Sequence, residues 1–205
     1  MELQNTFLRL VNQHSIDAVL ADTLWIEVER SYSGKKRHYH NLLHLEHLLS
    51  QLLSIRNSIA NWDAVLFALY YHDIVYDPLK KNNEENSAAL AEKRLADLKI
   101  PRESIDSCKR HILATKVHHV SDDSDTNFFT DADLSILGAD WNAYDTYRHQ
   151  VRKEYSVYPD ILYKPGRRKV LQHFLLMERI FKTDPFFDKY ESKAKLNLEK
   201  ELIEL

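Results

Sequence analysis

Residues 62–75 read WDAVLFALYYHDIV. A helix over Trp62 to about Ile74 is apolar on most of its sides, which predicts a buried central helix. The run ends on the polar pair His72-Asp73, followed by a break at Asp77-Pro78. Helical periodicity continues on either side. Upstream, residues 2–13 place Leu3, Phe7, Leu10 and Val11 on one stripe. A second helix is expected from Ile16 to Tyr32, with Val19, Leu20, Thr23, Leu24 and Ile26 to Val28 inside. Gly34 with Lys35, Lys36 and Arg37 marks a loop. A third helix opens near Asn41 and carries Leu45, Leu48, Leu49, Leu52 and Ile55.

Downstream, Asn82 with Glu85 three residues on has the pattern of a capping box, opening a helix over 83–99. Pro101 suits the first position of a helix reaching His118. Residues 119–129 (HVSDDSDTNFF) are polar and acidic and read as a loop. Thr130 is then a candidate cap for a short helix holding Asp131 and Asp133. Further helices are expected from Trp141 to Tyr158, over 167–182 after Pro159 and Pro165-Gly166, and from Thr183-Asp184-Pro185 to the C-terminal end. The result is an all-α chain of about nine or ten helices with no significant sheet. No linker composition divides it, so residues 1–205 read as a single domain.

Composition agrees. Hydrophobic residues make up 44% and charged residues 29%, enough for a core and unlike a disordered tail. Three glycines in 205 residues are too few for the tight turns of an all-β fold. A net charge of −3 argues against nucleic acid as the partner. The single cysteine, Cys108, excludes disulfide scaffolds and Cys-type zinc sites and reads as a small buried residue. No stretch approaches a membrane span, and the first residues, MELQNTFLRLVNQHS, lack a basic leader; both features predict a cytoplasmic protein.

Histidine is the outlier. There are 11, and His38, His40, His44, His47 and His72 fall within one short window. Imidazole is the commonest nitrogen ligand for metals. His40 and His44 are four apart and His44 and His47 three apart, so either pair shares a helical face. With Asn41 as cap, His40 lies just outside the helix and His44 faces inward on the stripe of Leu48, Leu52 and Ile55. A solvated histidine-rich face and an ordinary polar helix end are the plain structural readings. Imidazole beside carboxylate also suits one Mn, Fe, Mg or Zn ion to differing degrees.

Taken in order, His44, His72-Asp73 and Asp133 resemble the H…HD…D pattern of the HD superfamily of metal-dependent phosphohydrolases. The chain is most similar to a subgroup of small bacterial proteins, the predicted metal-dependent HD-superfamily phosphohydrolases. The segments that carry the resemblance are RHYHNLLH at 37–44, YHDIVYDP at 71–78, NEENSA at 83–88, ATKVH at 114–118, DADLSILG at 131–138 and NLEKEL at 197–202.

The resemblance implies an HD-type helical domain with one divalent ion (Mn, Mg, Fe, Ni or Zn) on His44, His72, Asp73 and Asp133. His40 competes with His44 for the first position and Asp131 with Asp133 for the last. The reaction implied is hydrolysis of a phosphate ester or anhydride in a small phosphorylated substrate, a nucleotide-like one among the candidates. Asp73, Glu84 and Glu85 are candidates for managing the proton of the attacking water. First-turn helix capping is the competing reading of Glu85. Arg37, His40, Lys116, His118 and Arg152 are candidates for contacting phosphate, with Arg167 and His119 behind them. Tyr144, Tyr147, Tyr155 and Tyr158 read as core and rim packing. Two other readings compete: an iron-dependent HD-type oxygenase, which needs a second metal and more histidines, and a nucleotide-binding regulatory module without turnover. A homodimer is open for a small helical protein, with no patch that decides it.

Overall fold

The computed structural model describes residues 2–15 and 17–205. Among them are ten α-helices, two short 3-10 helices and no strand. No described helix is long and apolar enough to cross a membrane. The backbone falls into two compact units, Met1–Thr130 and Asp131–Leu205, with no linker composition to announce the division.

The first unit is built around α4 (Trp62–Tyr71), in which every residue from Ala64 onward is buried. Helices α1 (Glu2–His14), α3 (Leu42–Ser54), α5 (Asn83–Asp97) and α6 (Arg102–Ala114) pack against it. The stripe Leu3, Phe7, Leu10 and Val11 is the buried face of α1, as expected. Phe7 meets Tyr70 edge-on at 4.8 Å, and the Tyr70 hydroxyl donates to the Leu3 carbonyl at 2.9 Å. Helix α2 (Ala18–Tyr32) starts two residues after the expected Ile16, which lies outside the described residues. It buries Ala21, Leu24, Trp25, Val28 and Tyr32, whereas Val19 and Ile26 are exposed. Those two fall off the 3-4-3-4 stripe that faces the core.

Several expected boundaries move. The capping box at Asn82 does not form: the Asn82 side chain makes no capping bond, while Asn83 turns back to bind both backbone groups of Asp77. Helix α5 ends without glycine. Lys99 takes a positive φ of 57°, and the amides of Lys99 and Ile100 close on the carbonyls of Ala96 and Leu95. Helix α6 stops at Ala114, and His118 adopts a positive φ of 53°, which ends any continuation. The acidic stretch read as a loop contains the start of α7 (Ser124–Leu134). Asp123 accepts from the Asp125 amide at 3.1 Å and from the Thr126 hydroxyl at 2.9 Å, so its carboxylate does the capping assigned to Thr130. Thr130 instead lies inside α7 and donates to the Thr126 carbonyl.

In the second unit, 3-10 residues Ser135–Gly138 and α9 (Asp160–Leu176) pack on α10 (Asp184–Glu204); α8 (Trp141–Glu154) lies against the same 3-10 turn. A Cβ on Gly138 would stand 2.5 Å from the Tyr190 carbonyl oxygen, so this contact requires glycine. Helix α9 runs through Pro165 rather than starting after it. The carbonyl that proline leaves without a donor belongs to Ile161, which is 80% exposed and open to water. The helix stops at Leu176, short of the expected 182. Buried Glu191 then binds the amides of Ile180 and Phe181, and buried Asp131 those of Lys182 and Thr183, giving these residues an alternative to helix. Arg167 forks onto Glu201 at 2.8 and 2.9 Å in the interior, where Tyr144 also donates to Glu201.

Candidate metal centre

Asn41 fixes the first histidine. Its side chain accepts from the amides of Leu43 and His44, opening α3 so that His44 lies in the first turn and points into the core at 5% exposure. His72 caps the C-terminal end of α4 and is buried. Its Nδ1 lies 2.9 Å from the Leu69 carbonyl, which can only accept, so Nδ1 carries a proton and, in the neutral ring, Nε2 presents a lone pair. That lone pair faces His44 Nε2 at 3.1 Å and Asp73 Oδ2 at 3.2 Å. His40 Nε2 stands 3.8 Å from the same Asp73 oxygen. The cluster is therefore graded: His44 and His72 are buried, and Asp73 and His40 lie at its more open rim.

Burial by itself would push the Asp73 carboxyl up. The imidazoles of His72, His40 and His44, in their protonated form, outweigh it and hold the group well below the usual carboxylate range. Of the two candidate first histidines, His44 is the more buried and lies within hydrogen-bond distance of His72.

The two candidate last aspartates have different surroundings within the second unit. Asp131 is fully buried and accepts from the Lys182 amide at 2.9 Å and the Thr183 amide and hydroxyl at 2.7 Å each. The Lys182 ammonium lies 3.4 Å away. This carboxylate is committed to anchoring the start of α10. Asp133 lies half-buried in the last turn of α7 and adds its negative field at the Lys182 ammonium.

Other expected contacts are otherwise engaged. Arg37 donates to the carbonyls of His40, Asp73 and Ile74, so it serves the scaffold of the cluster rather than offering its fork to phosphate. Lys116 pairs with exposed Glu85, reaches the Lys81 carbonyl at 2.8 Å and lies 3.9 Å from Glu84. That pairing lowers the Glu85 carboxyl. The expected carboxylate base and the expected phosphate ligand thus neutralise each other. Arg152 closes the turn after α8 through the carbonyls of Tyr155 and Tyr158 and the carboxylate of Asp160. His118 sits half-buried in the turn after α6.

His111 was not anticipated. It is fully buried on α6, with Nδ1 2.8 Å from the Thr126 hydroxyl. Thr126 gives its proton to Asp123, so it accepts from His111, and His111 Nε2 is left with no hydrogen-bond partner among the described residues. The Phe129 ring lies 6.0 Å from His111 and 5.9 Å from His72. A signal existed in the sequence: Ile105, Cys108 and Ile112 define an inward stripe that His111 adjoins. Burial pushes its pKa down from 6.5 to about 4. Between those values the unfolded chain takes up a proton that the folded chain refuses. Stability from this group is complete above pH 6.5 and falls as the pH drops toward 4. Urea midpoints measured across that range are expected to decline less steeply in His111→Gln than in the native protein.

No family model matches this chain, and no curated protein or solved structure matches it.

Proposed function

We propose that the chain is an HD-type metal-dependent phosphohydrolase, with one divalent ion held by His44, His72, Asp73 and Asp133. The observation that carries this reading is the His72 lone pair set 3.2 Å from the Asp73 carboxylate oxygen and 3.1 Å from His44 Nε2. A lone pair and an anionic oxygen at that distance repel unless a cation, either a ring proton or a metal ion, joins them. The Leu69 carbonyl holding Nδ1–H is the outer-shell partner that metal-binding histidines generally have. Two imidazoles with carboxylate suit Mn, Fe, Ni or Zn better than an all-oxygen set would. Asp133 enters from the sequence pattern, and Asp131 is the weaker candidate because its oxygens already hold the start of α10.

A divalent ion there supplies Lewis acidity, lowering the pKa of a water and polarising a phosphoryl oxygen. The protein's own residues divide the remaining work. Ionised Asp73 accepts a proton from the attacking water. His40, at the open rim, meets the phosphoryl group of a small phosphorylated substrate. Buried His44 and His72 hold their positions on α3 and at the end of α4.

The test is metal content by mass spectrometry on protein purified without chelator or affinity tag, followed by phosphate release from esters and nucleoside polyphosphates with the metal found. About one equivalent of a divalent ion and metal-dependent release support the proposal. No metal after reconstitution overturns it, and two equivalents of iron transfer the reading to oxygenase chemistry.

A further inference from the structure

We propose that Arg37 is a positioning residue for the metal centre, fixing Asp73 through its backbone and His40 through the Tyr76 ring. This inference rests on the reading of His44, His72 and Asp73 as metal ligands. Residues 73–77 leave α4 without entering another helix, so their backbone groups need individual partners. The Asp73 amide donates to the Tyr32 hydroxyl at 3.2 Å. Val75 is held by the Ser87 hydroxyl at 3.1 Å, and Asp77 by Asn83. The two carbonyls at the start of this segment both belong to Arg37: Nη1 donates to Asp73 at 2.7 Å and Nη2 to Ile74 at 3.1 Å.

The same Nη1 also donates to the His40 carbonyl at 3.1 Å. The guanidinium lies 5.0 Å from the Tyr32 ring and 5.0 Å from the Tyr76 ring, and Tyr76 in turn lies 4.4 Å from the His40 ring. One planar cation thus joins the segment carrying His40 to the residue that follows His72. It reaches carbonyls on both sides and stacks on rings from both sides. Only a guanidinium combines a fixed fork of donors with a flat stacking face; an ammonium offers neither. Ligand geometry tolerates little displacement, so an anchor on the Asp73 carbonyl governs where its carboxylate can stand.

The experiment compares full-length native protein with Arg37→Lys, Arg37→Met and the surface control Arg56→Lys. Co²⁺ affinity by calorimetry, the Co²⁺ visible spectrum, urea unfolding, and amide exchange of the metal-free protein at residues 73–75 are read for each. Arg37→Lys is expected to stay folded, bind Co²⁺ about 10- to 100-fold more weakly, with a shifted spectrum, and exchange faster at 73–75. Arg56→Lys is expected to match the native protein. If Arg37→Met does not fold, Arg37→Lys alone carries the comparison. Native affinity and native exchange in folded Arg37→Lys overturn the proposal. If the native protein binds no Co²⁺, the metal reading fails, and unchanged exchange at 73–75 in Arg37→Lys then overturns the clamp on separate grounds.

Discussion

Asp73→Ala is expected to strip the protein of its divalent ion and leave its helices standing. Asp73 is the anionic member of the cluster, and its Oδ2 faces both His72 and His40. Without it, the two imidazoles and Asp133 remain, and a single carboxylate compensates only half the charge of a divalent ion. Affinity is expected to fall by at least about a hundredfold, the upper end of what the loss of a mere outer-shell partner costs. The fold tolerates the change because a partly buried charge leaves together with its need for partners, and the backbone bonds to Tyr32 and Arg37 do not involve the side chain. Metal content, far-ultraviolet circular dichroism and a urea curve on one preparation separate the two effects. Asp73→Asn keeps the shape and removes the charge, so it is expected to behave like the alanine variant. Full metal retention by either variant would falsify the assignment of Asp73.

The second large effect separates Asp131 from Asp133. Asp131→Ala removes a buried carboxylate that satisfies two amides and one hydroxyl and faces the buried Lys182 ammonium. The ammonium is left with no counter-charge from Asp131, and breaking a buried pair in this way costs about 3–5 kcal/mol. The urea midpoint is expected to fall accordingly. Asp133→Ala is expected to lower metal content and to cost less stability than Asp131→Ala, which alone removes the acceptor of the Lys182 and Thr183 amides. A variant pair with these effects exchanged would make Asp131 the ligand and Asp133 the anchor.

Much of this was legible in the sequence because the relevant signals are local. The apolar run before His72 announced a helix with no exposed face. Asn41 announced where α3 begins, and hence that His44 rather than His40 turns inward. What escaped reading depends on partners distant in the chain. The start of α7 is built from Ser, Asp, Thr and Asn, residues that favour caps and turns as readily as helices. Its helical state is supported by Asp125, whose carboxylate accepts from the amides of Ala60 and Asn61, far upstream in the chain. Pro165 is a stop signal that an exposed turn overrules. The stop at Leu176 reflects Glu191 and Asp131 holding the amides of Ile180, Phe181, Lys182 and Thr183. Arg37 looked like a phosphate ligand because its sequence neighbours do not reveal that three carbonyls converge on it.

From Ala64 to His72 no side chain of α4 reaches the surface. Trimming a large side chain at such positions costs about 2–5 kcal/mol, against the roughly 5–15 kcal/mol that holds a domain together. The scaffold of His72 is therefore nearly closed to mutational drift. Variation is tolerated instead at the exposed Lys35 and Lys36, in the loop that leads to His40.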